Sequence, residues 1–279
     1  MASSSLAIST KETTTTGHKV TTMSSGAHAA APAPAVVDAP ASPRLDAALA
    51  AAAHQNYDPL TELCRAGTDR SKEAAARALL VAAESGRADR AAVAVDALIE
   101  LCGGAEAWGT RSCAARALMA MAAADDAAKA RLVARGACGP LVALLRGRAS
   151  DAAKEHASWA LGALATDGAA KEAVERAGAL PALVDLLRSG DDGVKLQAAA
   201  TLWKLAHGDD ARRIAVALSG AAEPLVEVRR RGSKELRDVA AGALCNLTPH
   251  VRSRRVVADA LGLSGDVSKY DVDRAIIGG

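Results

Sequence analysis

One apolar motif returns along this chain at a constant interval, and that interval constrains the fold more than any other feature. The clearest copies begin at Leu141, Leu183 and Leu225, each 42 residues after the one before. A Gly-Ala pair keeps the same interval, at 136–137, 178–179 and 220–221. Self-similarity at a fixed period of this length indicates an array of structural repeats, each burying its apolar face against its neighbours.

A second series of leucines extends the array toward both ends of the chain. Each lies in an alanine-rich stretch, and successive members are 39, 43, 41 and 42 residues apart: Leu79, Leu118, Leu161, Leu202 and Leu244. Weaker copies of the first motif precede the first two of these leucines, at 59–63 and 98–101. Together the two series predict about five repeats between residues 58 and 262.

The pattern inside each repeat is helical. From Leu180 to Leu187 the apolar residues follow the i, i+3, i+4, i+7 spacing of one buried helical stripe. Gly178 suits the left-handed turn that ends a helix, and the segment 189–192 both interrupts a helix and offers caps for the next. We therefore expect each repeat to contain a short, a medium and a long helix.

These residues resemble the armadillo repeat. The resemblance is carried by the segments 178–190, 197–206 and 240–247, and it extends from about Asp58 to Leu261. It implies an all-α fold, a right-handed α-solenoid superhelix of about five armadillo repeats, with the longest helices lining a concave groove. The two-helix HEAT arrangement is the alternative, and the Gly-Ala turn and short first helix disfavour it.

The first 43 residues differ in composition from the rest of the chain. Ser, Thr, Ala and Pro dominate them, and few large apolar side chains are present to offset the entropy of ordering, so 1–43 is predicted to be a disordered arm. Low acidity also gives the arm some likeness to an organellar transit peptide, although it lacks the clustered arginines typical of one. The remaining 44–279 is predicted to be the repeat domain, with a cap helix at about 44–55, repeats at about 58–262 and a C-terminal cap at about 263–279. In that last cap we expect the apolar residues to cover the fifth repeat: Val267, Tyr270, Val272 and Ile276.

Charge and cysteine usage narrow the classes of function. The 34 basic and 32 acidic residues give a formal net charge of +2, which provides no general attraction to nucleic acid. No apolar run is long enough for a transmembrane helix. The five cysteines are scattered without a CxxC pair, which favours reduced thiols and a cytoplasmic or nuclear location: Cys64, Cys102, Cys113, Cys138 and Cys245.

No recognisable catalytic or metal site can be assembled from the motifs in the sequence. The six histidines do not stand at metal-ligand spacing with cysteine or acidic residues, and neither a phosphate-binding glycine loop nor a nucleophile elbow is apparent. Paired acids such as 125–126 and 191–192 fall where helices are expected to begin, so they are interpreted as caps. We therefore expect no enzyme activity, no metal and no cofactor.

The predicted groove is where a function is expected. In armadillo proteins resembling import receptors, the long helix carries a Trp and, four residues later, an Asn that hold an extended peptide. Only Trp159 and Asn246 match this pattern, in different repeats, so capture of a basic signal is disfavoured. The groove is instead predicted to offer the following residues to an acidic or mixed peptide, or to a helix: Arg77, Arg116, Glu155, Trp159, Lys204, Asp238 and Asn246.

The fifth repeat carries a local excess of positive charge. Five of its basic residues form a candidate basic patch: Arg229, Arg230, Arg231, Lys234 and Arg237. Arginines can bind carboxylates or phosphates through paired hydrogen bonds, but a solvated end of the array is the simpler interpretation. Because no aromatic residues alternate with these charges, nucleic acid is not expected as a partner.

The sequence therefore predicts a non-enzymatic scaffold or adaptor that binds other proteins along the groove. Two alternatives stay open: a transport receptor resembling importin alpha that carries cargo peptides, and the substrate-binding armadillo module of a ubiquitin ligase assembly. Self-association through an uncovered terminal repeat is a further expectation.

Overall fold

The computed structural model describes residues 43–87, 92–104, 107–265 and 267–278. Within these ranges the regular structure is helical and contains no strand, which confirms the predicted all-α class. The predicted disordered arm, apart from Pro43, lies outside the described residues. The α-helices are, in chain order, α1 Pro43–Ala53, α2 Asp58–Ala66, α3 Asp69–Ala82, α4 Val95–Gly103, α5 Trp108–Ala124, α6 Asp126–Ala134, α7 Cys138–Arg146, α8 Asp151–Leu164, α9 Gly168–Arg176, α10 Ala179–Ser189, α11 Asp192–Ala206, α12 Asp210–Val216, α13 Ala222–Arg231, α14 Lys234–Leu247, α15 Val251–Leu261 and α16 Lys269–Gly278.

The helices pack in two layers that repeat along the chain. The long helices α3, α5, α8, α11 and α14 stack side by side in one layer, each against the next. The medium helices α2, α4, α7, α10 and α13 stack in the other layer. Short helices α6, α9 and α12 lead from one repeat into the next, which matches the expected order of short, medium and long helix.

Left-handed glycines mark where the short helices end. Gly136, Gly178, Gly220 and Gly262 have φ of 75°, 82°, 84° and 78°, and each lies 42 residues after the one before. Only glycine adopts this conformation without steric cost, which explains why the Gly-Ala pair recurs in the sequence. Gly262 extends the series beyond the fifth repeat, so α15 occupies the place of a sixth short helix.

Side-chain caps set the starts of the helices at the same interval. Asp125, Asp167 and Asp209 accept hydrogen bonds from the backbone of the short helices, at 2.6, 2.9 and 2.8 Å. Asp191 accepts one from the Val194 N–H at 2.8 Å and begins a long helix. The prediction that Asp125 and Asp191 act as caps is therefore confirmed.

A continuous core of Ala, Leu and Val runs between the two layers. The leucines of the second sequence series are all completely buried: Leu79, Leu118, Leu161, Leu202 and Leu244. Small side chains let the long helices come close together. A Cβ on Gly162 would lie only 2.6 Å from the Thr201 hydroxyl, and that hydroxyl donates to the Ser158 carbonyl at 2.8 Å. The close approach spreads the apolar burial over many small contacts.

The last helix, α16, packs against the end of the array. Val272 and Ile276, one helical turn apart, are buried against α14 and α15, and Val267 is half-buried. Tyr270 differs from the expectation, because it is 82% exposed. A single helix buries one stripe, and Tyr270 lies on the side of α16 that faces away from Val272 and Ile276.

Candidate binding groove

The free face of the long-helix layer is the candidate groove. One position per repeat lies along its floor, and all five of these residues are half-buried: Arg77, Arg116, Trp159, Ala200 and Gly242. Four residues further along each long helix lies a second row, which is half-buried or exposed: Val81, Ala120, Ala163, Lys204 and Asn246. Because residues four apart share one face of a helix, the two rows form a single solvent-accessible surface across the repeats.

The two arginines of the first repeats are already paired with carboxylates. Arg77 Nη2 lies 2.8 Å from Glu73 Oε1, one turn earlier on α3. Arg116 Nη2 lies 2.7 Å from Glu84 Oε1, in the π-helical turn Ala83–Arg87 that follows α3. Their positive charges are therefore largely neutralised within the protein, although the sequence predicted both as cations available to a ligand.

Cys113 lies next to Arg77, and His156 lies next to Arg116. Burial raises the pKa of the Cys113 thiol, against the smaller opposing effect of its hydrogen bond to Arg77. Burial, and then the positive charge of Arg116, lower the pKa of His156 to about 4. Its Nδ1 is buried without a hydrogen-bond partner in the described structure. His156 is thus a neutral groove residue near pH 7.

The third repeat contributes Trp159 and Glu155. Trp159 packs partly against the core and keeps part of its ring on the groove surface. The Glu155 carboxylate reaches across to the start of α11, where its Oε2 would lie 3.2 Å from a Cβ placed on Gly193. Both residues therefore lie where long helices of neighbouring repeats meet.

The fourth repeat presents Lys204 to solvent. Within the described residues this lysine has no carboxylate at ion-pair distance, and its side chain is exposed. Partial burial of the Lys204 side chain, and then the nearby charge of Lys129, lower the pKa of Lys204. Lys129 itself contacts Asp126 at 2.7 Å, and the Asp126 carboxylate is 91% exposed.

In the fifth repeat, the predicted groove residue Asn246 makes a hydrogen bond within the protein. Asn246 Nδ2 donates to the Trp203 carbonyl at 3.1 Å, which ties α14 to α11. The Trp203 ring covers Gly242, since a Cβ there would lie 3.1 Å from the ring. Trp203 thus packs between repeats. Asp238 on the same long helix is exposed.

The candidate basic patch is partly used by internal contacts. Arg229 donates from Nε to the Ile276 carbonyl and from Nη2 to the Ile277 carbonyl, both at 3.1 Å, so it holds the end of α16. Arg231 contacts Glu227 at 2.9 Å. The other three members of the patch are exposed: Arg230, Lys234 and Arg237.

A cleft of about 580 Å³ lies away from the groove, between the medium helices of the fourth and fifth repeats. Its wall combines apolar residues with both signs of charge: Leu187, Arg188, Lys195, Glu223, Val228 and Arg231. Because the charges are mixed, the cleft shows no clear preference for an anion or a cation.

The described part of the chain contains no group of three or more His, Cys, Asp and Glu placed to hold a metal. Burial raises the pKa of the Cys64 and Cys102 thiols to about 12, so both stay protonated and unreactive near neutral pH. Across the same ranges, no helix has both the length and the apolar character needed to cross a membrane.

One family model matches part of this chain. The model of the armadillo/beta-catenin-like repeat matches residues 169–207, which cover almost all of the fourth repeat. No curated protein matches the chain by sequence.

Solved structures of engineered proteins share the fold. One engineered protein from the Northeast Structural Genomics Consortium is 29% identical, with a TM-score of 0.69 over 79% of this chain and 98% of its own. A computationally designed armadillo repeat protein for modular peptide recognition is 23% identical, with a TM-score of 0.69 over 78% and 97%. A designed armadillo repeat protein in complex with the peptide (KR)4 is 22% identical, with a TM-score of 0.66 over 78% and 97%.

Proposed function

Because this chain is an armadillo-repeat protein with a right-handed α-solenoid fold, we propose that it is a non-catalytic scaffold that binds segments of other proteins along its groove. The observation that carries the proposal is the double row of solvent-accessible positions that crosses all five long helices. A rigid surface of this kind, built from successive repeats, suits an extended peptide or a helix better than a small molecule.

The designed proteins of the same fold support this proposal in a general way. One is designed for modular peptide recognition and another holds the peptide (KR)4. Since both are less than 25% identical to this chain, the likeness concerns the fold alone. The chemistry of a ligand for this chain therefore has to be inferred from the chain's own groove residues.

A transport receptor for basic cargo peptides is the weaker candidate. The residues expected to sandwich basic side chains are mostly replaced, with Arg77 and Arg116 in the first two repeats and Gly242 in the last. The amide of Asn246 also donates to the Trp203 carbonyl. A substrate-binding role in a ubiquitin ligase assembly would be the same binding activity with another partner, and it stays a prediction, as does a cytoplasmic or nuclear location.

Two matched variants, each with one alanine replaced by arginine, test the proposal. Ala163 lies half-buried in the groove on α8, whereas Ala143 is exposed on the medium helix α7. Peptides selected from a displayed random library against the full chain are measured against Ala163→Arg and Ala143→Arg. We expect Ala163→Arg to abolish binding, because the arginine fills the groove, and Ala143→Arg to leave it unchanged. Circular dichroism checks that both variants keep their helix content. Loss of binding with Ala143→Arg alone would place the binding surface on the other layer.

A further inference from the structure

The predicted cations of the groove differ in whether a carboxylate of the protein is already paired with them. Arg77 and Arg116 are paired with Glu73 and Glu84 at 2.8 and 2.7 Å. Lys204 is exposed and has no carboxylate at ion-pair distance among the described residues. Of the predicted groove cations, it is therefore the one whose charge is available to a ligand.

A second lysine adds to the positive potential around Lys204. Lys129 from α6 lies close enough to lower the pKa of Lys204, with burial as the larger cause. The carboxylate paired with Lys129 is that of Asp126, which is 91% exposed and therefore well screened by water. An incoming anion would relieve the repulsion between the two ammonium groups, and it would restore the hydrogen bonds that Lys204 loses when a ligand covers it.

Contacts between α11 and α14 hold the surface beside Lys204 in place. Trp203 precedes Lys204 on α11, and its ring is packed on Gly242 of the next long helix. The Trp203 carbonyl accepts the Asn246 amide at 3.1 Å, which joins α11 to α14 beside the lysine. Lys204 therefore projects from a part of the groove that two repeats hold together. Because little of the protein has to become ordered when a ligand binds there, less binding free energy is lost.

From this distribution of charge we propose that Lys204 anchors an anionic side chain of the polypeptide that occupies the groove. The inference rests on the proposed function and specifies the chemistry of its ligand. A lysine ammonium is a compact point charge that forms charge-assisted hydrogen bonds with a carboxylate or a phosphoryl group alike. The ligand is therefore a segment with an acidic or phosphorylated residue where it crosses the fourth repeat.

Three capped octapeptides that differ only in their charged residue test this inference: (Asp-Leu)4, (phosphoserine-Leu)4 and (Lys-Leu)4. Their affinity for the full chain is measured by fluorescence anisotropy. We expect both anionic peptides to bind more tightly than (Lys-Leu)4. Lys204→Glu is expected to weaken their binding about tenfold or more, the factor that corresponds to a lost hydrogen bond to a charged group. Lys204→Arg should keep most of the affinity, because the positive charge remains.

The matched control is Arg148→Glu, which reverses an exposed charge in the turn between α7 and α8, outside the groove. Equal effects of Lys204→Glu and Arg148→Glu would overturn the inference, and so would tighter binding of (Lys-Leu)4 or no binding of either anionic peptide at millimolar concentration. The groove proposal is judged separately, by whether Ala163→Arg abolishes binding of the selected peptides. The tighter of the two anionic peptides identifies a carboxylate or a phosphoryl group as the preferred form.

Discussion

Single glycines determine the turns between helices in this structure. Gly178 has a φ of 82°, and a Cβ at this position would lie 2.8 Å from Arg146 Nη2. Arg146 donates from the same nitrogen to the Gly178 carbonyl at 2.8 Å. The residue is thus required chiefly for its backbone conformation, since the end of the flexible Arg146 side chain can move away from a Cβ.

The substitution Gly178→Ala is expected to destabilise the protein. The strained backbone costs about 1 kcal/mol or more, which thermal unfolding followed by circular dichroism would detect as a lower Tm. Gly139→Ala is the matched control, since Gly139 lies inside α7 and a Cβ there would meet nothing within 4 Å. That variant should be neutral or slightly more stable, because alanine favours helix. Equal losses from the two substitutions would contradict this role of Gly178.

His156 gives the groove a predictable response to pH. Its pKa is lowered from 6.5 to about 4 in the folded protein, so the unfolded chain takes up the proton first as the pH falls. Its contribution to stability is therefore complete above pH 6.5 and is lost as the pH falls toward 4. Protonation of the buried ring would also place a second positive charge beside Arg116.

Replacing His156 with glutamine should flatten this part of the pH profile. Between pH 6.5 and 5 the wild-type free energy of unfolding is expected to fall by up to about 1.4 kcal/mol per pH unit more steeply than that of His156→Gln. Urea unfolding at a series of pH values measures the slopes. His54→Gln alters an exposed histidine near the end of α1 and should keep the wild-type slope. Parallel profiles for all three proteins would show that His156 is not the group responsible.

Among the elements, the short helices and their turns were the most predictable from the sequence. Their aspartate caps and left-handed glycines act within a few residues, so local chemistry is sufficient to place them. The last part of the chain was less predictable. Its short helix α15 keeps the interval through Gly262, but its N-cap residue is His250 instead of an aspartate. The next helix, α16, starts seven residues after that glycine. These weaker local signals conceal the continuation of the repeat pattern after α14.

Arg229 is expected to hold α16 in place. In Arg229→Met the carbonyls of Ile276 and Ile277 lose their donor, so hydrogen exchange of the amides in 269–278 should accelerate about tenfold, the value of a lost hydrogen bond to a charged group. Arg230→Met removes the exposed neighbouring charge and should leave exchange unchanged. If both variants exchange like the wild type, Arg229 does not hold α16, and the burial of Val272 and Ile276 with the hydrogen bond from Thr248 to Asp273 is sufficient.

At the scale of the whole molecule, the fold was more predictable than the groove. The repeat interval survives in three separate marks, and tertiary packing follows from it because each repeat packs on the next. Charge pairing was harder to foresee. Glu73 and Arg77 are four residues apart and could be paired from the helical spacing. Glu84 and Arg116 meet only because the π-helical turn Ala83–Arg87 packs beside α5. The sequence thus named the groove cations without showing which of them were already neutralised.

Site-directed photo-cross-linking tests the central claim most directly. The photoreactive residue p-benzoylphenylalanine is placed at Ala163 or Ala200 on the groove, and at Ala143 or Asp185 on the exposed side of the medium helices. With the selected peptides as ligands, we predict covalent adducts from the two groove positions and none above background from the other two. Adducts formed from Ala143 or Asp185, with none from Ala163 or Ala200, would contradict the claim that the long-helix face of this solenoid is the binding surface.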